Sequence, residues 1–120
     1  MIRLRDILNE VSGKNPKAII LGGGAGSGKT YVTKNLLGKV DDGVFTPYGS
    51  SESFTYLNPD DIVEKTGASL GAAMGEFNKI FSQTLSDKQN ILWDTTAANV
   101  KNTLSKLPGY DKMLVMVYTH

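Results

Sequence analysis

A glycine-rich segment in the first third of the chain constrains the fold more than any other feature. Residues 19–30 have the sequence IILGGGAGSGKT, in which an apolar run leads directly into the glycines. Gly23 to Thr30 matches the pattern G-x-x-x-x-G-K-[ST] at every fixed position, between a predicted strand and a predicted helix. Glycine lets the backbone bring its N–H groups close to phosphate oxygens. The segment therefore predicts a phosphate-binding loop.

The motif also predicts which residues bind a nucleotide and a metal ion. Lys29, a predicted catalytic residue, is expected to reach the β- and γ-phosphates, and the Thr30 hydroxyl is expected to bind Mg²⁺. The expected cofactors are ATP or GTP with Mg²⁺. A flexible loop without a ligand is the alternative, which the preceding strand and the Lys-Thr pair disfavour. The predicted nucleotide-binding residues are Gly23, Gly24, Ala25, Gly26, Ser27, Gly28, Lys29 and Thr30.

Length and composition favour one soluble domain. The chain has 120 residues and a net charge of +1, so its overall charge does not attract a long polyanion. Cysteine is absent, which excludes thiolate metal sites and disulfides within the chain. No apolar run is long enough for a membrane span or a signal peptide. The sequence thus predicts a cytoplasmic protein without a membrane partner, for which nucleic acid is a partner only as a 5′-end substrate.

Alternating strand and helix patterns predict an α/β fold. Residues 1–16 are expected to form an N-terminal helix, and residues 17–120 the nucleotide-binding domain. Their βαβ connections predict a parallel sheet with the order 2-3-1-4 and helices on both faces, as in the three-layer α/β/α fold of P-loop NTPases. The four predicted strands are residues 17–21, 54–57, 90–93 and 112–118.

The segment after the phosphate-binding loop predicts a helix and then a loop. The helix is expected over residues 29–37, with its apolar side chains turned inward, among them Leu36. Gly38 stands where a helix often ends in a left-handed conformation. Residues 41–53 are rich in Asp, Gly, Pro and Ser, so they predict an exposed loop.

Two more helices are predicted before the third strand. A short helix is expected over residues 60–66 and a longer one over residues 68–85, whose apolar side chains form one stripe. Gly71 and Gly75 of the longer helix have the spacing of closely packed membrane helices, although the polar residues around them exclude a membrane span. The spacing therefore predicts close packing at these two glycines.

Acidic residues follow two of the predicted strands. Asp94 follows the third strand, and Asp60 follows the second within Asn58-Pro59-Asp60-Asp61. In an open α/β sheet the ligand binds beyond the carboxyl ends of the strands, so both acids are candidate site residues. Asp94 is predicted to hold Mg²⁺ directly or through water, with a helix N-cap as the alternative. Asp60 is a candidate acceptor for the proton of a reacting hydroxyl, and a helix start is an equal alternative from spacing alone.

Three motifs together resemble those of the small P-loop kinases that include the zeta toxins and the 5′-polynucleotide kinases. They are GGAGSGKT, then LNPDDI after an apolar strand, then ILWDTT before a helix. The resemblance covers about residues 17 to 120. It implies an ATP- and Mg²⁺-dependent kinase acting on a hydroxyl acceptor, such as a nucleotide sugar, a small metabolite or a nucleic-acid 5′ end. It also implies that Asp60 is the base toward that hydroxyl.

The chain departs from this family pattern at two points. Val63 stands where the family usually has an arginine that contacts the acceptor. The family usually adds an arginine-bearing lid after the fourth strand, whereas Arg3 and Arg5 are the only arginines of this chain. The resemblance therefore implies either the nucleotide-binding half of a longer kinase or a shortened relative. The alternative function is a nucleotide-binding module without efficient transfer of its own.

Overall fold

The computed structural model describes residues 15–23, 28, 31–67, 69–95 and 100–117. For Asp60, Leu70, Val100 and Lys101 it describes the backbone alone. The predicted N-terminal helix lies outside the described residues except at its last two positions, so it stays a prediction. Among the helices in the described ranges, none is long and apolar enough to cross a membrane.

The described part of the chain contains one six-stranded sheet. Numbered along the chain, the strands are β1 Lys17–Gly22, β2 Gly38–Asp41, β3 Val44–Pro47, β4 Phe54–Leu57, β5 Ile91–Asp94 and β6 Asp111–Met116. Their order across the sheet is β2-β3-β4-β5-β1-β6. Non-consecutive neighbours such as β5 and β1 require crossover connections, as expected for an α/β fold.

Four of the strands are parallel and have the predicted order. β1 pairs with β5 on one side and β6 on the other, and β4 pairs with β5. The order β4-β5-β1-β6 is the predicted 2-3-1-4 of those four strands. β1 and β5 are buried almost throughout, which is typical of parallel strands covered on both faces. Because the four strands are parallel, their C-terminal ends lie at the same edge of the sheet, called here the carboxyl edge.

The prediction of a purely parallel sheet of about four strands is wrong, because β2 and β3 add an antiparallel hairpin. β2 pairs with β3, and β3 pairs antiparallel with β4. Asp42 and Gly43 connect the hairpin strands with φ values of 48° and 76°. Positive φ at both central residues is typical of a type I′ turn, whose twist matches that of hairpin strands. The predicted loop over residues 41–53 thus contains a hairpin turn and a strand, and the sheet is mixed.

The helix after the phosphate-binding loop, α1, spans Val32–Leu37 and has the wider hydrogen bonding of a π-helix. Thr33 is its buried residue, whereas Leu36 is 60% exposed, so the predicted inward orientation of Leu36 is wrong. A π-helix has more residues per turn than the 3.6 of an α-helix, so the inward positions differ from those that the α-helical period predicts.

Gly38 does not end the helix in a left-handed conformation, as the sequence suggested. Its backbone is extended and begins β2. A Cβ at this position would lie 2.6 Å from Cε1 of Phe45 and would also collide with the Thr46 carbonyl oxygen. Glycine is therefore required here by the close approach of β3 and not by its φ angle.

Three further helices follow the hairpin, namely α2 Pro59–Thr66, α3 Leu70–Ser86 and α4 Val100–Ser105. The predicted stripe of α3 packs on one face of the sheet, where Phe77 joins a buried cluster with Trp93. Leu37 at the end of α1 packs against the cluster on the opposite face, called here the α1 face. The buried residues of the α1 face are Ile19, Leu21, Phe45, Phe54, Tyr56 and Leu92.

Gly71 and Gly75 lie on the exposed side of α3. An added Cβ would meet no atom within 4 Å at either position, so the predicted close packing at these glycines is wrong. Glycine in the interior of an exposed helix has a large entropy cost on folding and gains no contact in return.

Replacement of Gly75 with alanine is expected to stabilise the protein. The free energy of unfolding should rise by about 0.5–1 kcal/mol, because alanine restricts the unfolded chain and fits the helix without contact. The melting temperature, followed by circular dichroism, measures the change. Gly38→Ala is the contrasting control and should lower the melting temperature, since its Cβ collides with β3. A lower melting temperature for Gly75→Ala would contradict an open face at this point of α3.

Candidate functional site

The structure describes two glycines of the predicted phosphate-binding loop, Gly23 and Gly28. Gly23 follows β1 with a φ of 153°, and Gly28 has a φ of 87°, values that favour glycine. The Val32 N–H donates to the Gly28 carbonyl oxygen at 3.0 Å, so helical hydrogen bonding begins at the end of the loop. The other predicted loop residues lie outside the described residues and their roles stay predictions; they are Gly24, Ala25, Gly26, Ser27, Lys29 and Thr30.

Asp94 ends β5 beside the strand that leads into this loop. Its Cα is paired with that of Leu21 in β1, and neighbouring strands lie about 4.8 Å apart. The next residue, Thr95, donates its N–H to the Leu21 carbonyl oxygen at 3.0 Å. Asp94 is only 6% exposed. A buried carboxylate thus lies next to the start of the loop, while its role as a metal ligand stays a prediction.

Asp94 belongs to a hydrogen-bonded network with Tyr56 and Asn58. Asn58 Nδ2 donates to Asp94 Oδ2 at 3.3 Å and to the Tyr56 hydroxyl oxygen at 3.1 Å. The Tyr56 hydroxyl also lies close enough to the Asp94 carboxylate for the negative charge of Asp94 to act on it. Tyr56 lies opposite Leu92 in the pairing of β4 with β5, so the network joins the carboxyl ends of two adjacent strands. Such partners matter because burial of an unpaired charge is costly.

Burial raises the pKa of the Tyr56 hydroxyl to about 12. The hydrogen bond from Asn58 lowers this pKa, whereas the negative charges of Asp94 and Asp61 raise it. At neutral pH the hydroxyl is therefore protonated, and its oxygen accepts the hydrogen bond from Asn58.

Helix α2 starts directly after β4 and carries two acids near the carboxyl edge. The Asn58 carbonyl oxygen accepts from the Ile62 N–H at 3.3 Å, as the carbonyl of an N-cap residue does. The segment that begins at Asn58 therefore also starts a helix, which was the alternative interpretation. Asp61 is partly buried, and its Oδ2 lies 3.2 Å from Lys65 Nζ. Asp60 lies in the first turn of α2. Its side chain is outside the described part of the chain, so its role as a base stays a prediction.

The donors at this edge fit a magnesium ion that is carried by a nucleotide. Mg²⁺ in such sites is bound by one or two carboxylates, by water and by substrate phosphates. Asp94 supplies one buried carboxylate, and the other predicted ligand, Thr30, lies outside the described residues. In the described ranges no group of three His, Asp or Glu side chains is arranged to hold a metal without a nucleotide.

Sequence reasoning missed Tyr56 as a site residue and considered Asn58 only as a helix cap. Side chains of β4 alternate between the faces of the sheet, so Tyr56 lies on the same face as the buried Phe54. Tyr56 is the last residue of β4 on that face, so its side chain lies near the carboxyl end of the strand. This pattern was visible in the sequence, but the hydrogen bonds from Asn58 to Tyr56 and Asp94 depend on the register of β4 against β5.

The family comparison agrees with this arrangement. The zeta toxin family model matches residues 3–120, a range that includes the loop after β1, the start of α2 and the end of β5. No curated protein and no solved structure gave a significant match. The zeta toxin family is a P-loop kinase-like family that binds nucleotides. The predicted resemblance is confirmed, and the chain belongs to the zeta toxin family.

Proposed function

We propose that the protein is an ATP- and Mg²⁺-dependent kinase that transfers a phosphoryl group to a hydroxyl acceptor. The observation that carries this proposal is the adjacency of three strand ends. β1 and β5 pair up to Leu21 and Asp94, and β4 pairs with β5 up to Leu57 and Trp93. The phosphate-binding loop, the start of α2 and the buried Asp94 therefore share one edge, as donor and acceptor sites must.

The donor side of the proposed site consists of the loop and Asp94. Backbone N–H groups of the loop and Lys29 bind the β- and γ-phosphates, where the lysine charge stabilises the negative charge of the transferring group. Thr30 and Asp94 would hold Mg²⁺, directly or through water. Bound there, Mg²⁺ would neutralise part of the negative charge of the phosphates.

The acceptor side consists of the first turn of α2. The Asp60 carboxylate orients the acceptor hydroxyl and takes its proton as the new bond forms. The acceptor oxygen bonds to the γ-phosphorus while the bond from that phosphorus to the β–γ bridging oxygen breaks, so ADP leaves. Asp60 follows β4 in sequence, and β4 lies next to β5, so this carboxylate and Asp94 belong to neighbouring strand ends.

One observation favours a second candidate function, which is nucleotide binding without efficient transfer. None of residues 17–120 is an arginine. An arginine that stabilises the charge of the transferring phosphoryl group is worth about 10³ to 10⁵ in rate. The phosphate-binding loop and Asp94 serve nucleotide binding equally well in both candidates.

Transfer of labelled γ-phosphate from ATP tests the proposal. The acceptors are nucleotide sugars, small alcohols and 5′-hydroxyl oligonucleotides, each assayed with Mg²⁺ and the full chain. Label on one of these acceptors supports the kinase. Binding of ATP with no labelled acceptor supports the second candidate, and label released only as inorganic phosphate contradicts transfer to an alcohol.

A further inference from the structure

We propose that Tyr56 and Asn58 are positioning residues that fix the Asp94 carboxylate for binding of the Mg²⁺–nucleotide complex. The inference rests on the proposed function, because it assumes that Asp94 serves the bound metal ion. Neither residue is assigned a contact with the nucleotide. Both act through Asp94, whose orientation they set.

Asn58 links the other two side chains through its amide group. Asn58 Nδ2 lies 3.1 Å from the Tyr56 hydroxyl oxygen and 3.3 Å from Asp94 Oδ2. The amide that binds the carboxylate is thus itself held by the Tyr56 hydroxyl. Contacts of this kind fix the orientation of carboxylate ligands in metal sites, and their loss typically lowers metal affinity about 10- to 100-fold.

The fold makes both partners of Asp94 rigid. The Tyr56 ring is buried with Phe45 and Phe54 in the cluster on the α1 face, which fixes the position of its hydroxyl. Asn58 is fixed by its backbone, since its carbonyl oxygen accepts the first described hydrogen bond of α2, from Ile62. A residue held by packing or by a helix start positions a neighbouring carboxylate more precisely than a residue on a free loop.

The network of Tyr56, Asn58 and Asp94 lies on the α1 face of the sheet, against which the helix after the phosphate-binding loop packs. Side chains alternate along a strand, so Asp94 shares the face of Leu92, which packs in the same cluster as Leu37 of α1. Tyr56 lies in that cluster too. The three side chains therefore lie on the α1 face, at the carboxyl edge of the sheet where the nucleotide is predicted to bind.

Asn58 further connects the two halves of the proposed site. Its side chain contacts Asp94 on the donor side, and its backbone begins the helix that carries Asp60 on the acceptor side. A change at Asn58 is therefore expected to affect both metal-dependent binding and transfer, whereas a change at the Tyr56 hydroxyl should affect metal-dependent binding first.

Tyr56→Phe tests the inference, with Tyr110→Phe as a matched control. Tyr110 is as buried as Tyr56, at 7% exposure, and its hydroxyl donates to the Gln89 carbonyl oxygen at 2.7 Å. That bond lies at the opposite edge of the sheet, before β5 and β6. Each variant loses one buried hydroxyl, so a purely structural effect should be similar in both.

The readout is the Mg²⁺ concentration that gives half of the ATP-induced rise in melting temperature, at a fixed ATP concentration. Tyr56→Phe should raise this concentration about tenfold or more, and Tyr110→Phe should leave it unchanged. Asn58→Ala provides a second variant, with Asn90→Ala as its control. Asn90 makes side-chain hydrogen bonds to Lys17 N–H and to the Ser53 carbonyl at the opposite edge.

The outcomes separate this inference from the proposed function. If the wild-type chain responds to ATP with Mg²⁺ and both Tyr56→Phe and Asn58→Ala respond at the same Mg²⁺ concentration, the positioning role is wrong and the proposed function stands. An equal shift in Tyr56→Phe and Tyr110→Phe also overturns the positioning role, because the effect is then general. A wild-type chain without any response overturns both proposals.

Discussion

Asp60→Asn is expected to lower the rate of phosphoryl transfer by about 10²- to 10⁴-fold, the usual contribution of a general base. The amide keeps the size of the carboxylate but does not take up the proton of the acceptor hydroxyl. Binding of ATP should be unaffected, because the proposed site binds the phosphates through the loop after β1 and the metal ion through Thr30 and Asp94. Single-turnover transfer of labelled phosphate and calorimetric titration with ATP measure the two quantities separately.

Two neighbouring acids on α2 control for the specificity of this effect. Glu64 is exposed on the same helix, so Glu64→Gln removes an equal charge and should leave transfer unchanged. Asp61→Asn tests the adjacent acid, whose Oδ2 lies 3.2 Å from Lys65 Nζ. If Asp61→Asn abolishes transfer while Asp60→Asn retains it, the base is Asp61 and the assignment of Asp60 is wrong.

Lys29→Ala is expected to weaken ATP binding by about 10- to 100-fold, since a hydrogen bond to a charged group contributes about 1.5–3 kcal/mol. Lys29 follows Gly28, whose positive φ and hydrogen bond to Val32 begin the helical backbone at the end of the loop. The lysine is therefore expected at the phosphates themselves. Calorimetric titration of ATP in the presence of Mg²⁺ measures the change in Kd.

Lys34→Ala is the matched control for that variant. Lys34 is an exposed residue of α1, and it lies further from the loop along the helix. Its removal lowers the net charge by the same amount, so a general electrostatic effect on a polyanion would appear in both variants. An equal loss of affinity in Lys29→Ala and Lys34→Ala would contradict a specific role of Lys29.

The parallel part of the sheet was predictable from sequence because its central strands are buried on both faces. The runs in β1 and β5 are continuous and apolar, and their glycine or acidic ends mark where the strands stop. The hairpin was not predicted, since β2 and β3 have four residues each and residues 41–53 as a whole are rich in Asp, Gly, Pro and Ser. The Asp42-Gly43 pair was the available sequence signal, because Asp-Gly is a typical pair for a hairpin turn.

Glycine was the residue whose role sequence reasoning predicted least well. Gly38 follows a helix and suggested a left-handed end, yet it is required by the Phe45 ring of the adjacent strand. Gly71 and Gly75 suggested close packing, yet both face open space. A glycine can be required by a turn or by a neighbouring strand that leaves no room for a Cβ, or it can occupy a position where other residues would also fit. These three cases differ only in what lies beside the glycine in the folded chain.

The site residues that directly follow apolar strands were predictable from sequence, whereas the contacts between side chains of neighbouring strands were not. The sequence indicated Asp94 and Asp60 because each acid follows an apolar strand. The contact of Asn58 with Tyr56 and Asp94 depends on the register of β4 against β5, which no local pattern records. The family resemblance rested on three motifs that follow one another along the chain. The zeta toxin family model, which matches residues 3–120, confirms that resemblance.

The melting temperature of the wild-type chain with and without ATP and Mg²⁺ tests the central claim most directly. ATP at about 100 times its Kd stabilises a protein by about 2.7 kcal/mol, so the melting temperature should rise by at least about 5 °C. Mg²⁺ alone should have little effect, because the described carboxylates at the carboxyl edge do not form a complete metal site. A melting temperature that ATP and Mg²⁺ together leave unchanged would contradict nucleotide binding at this edge.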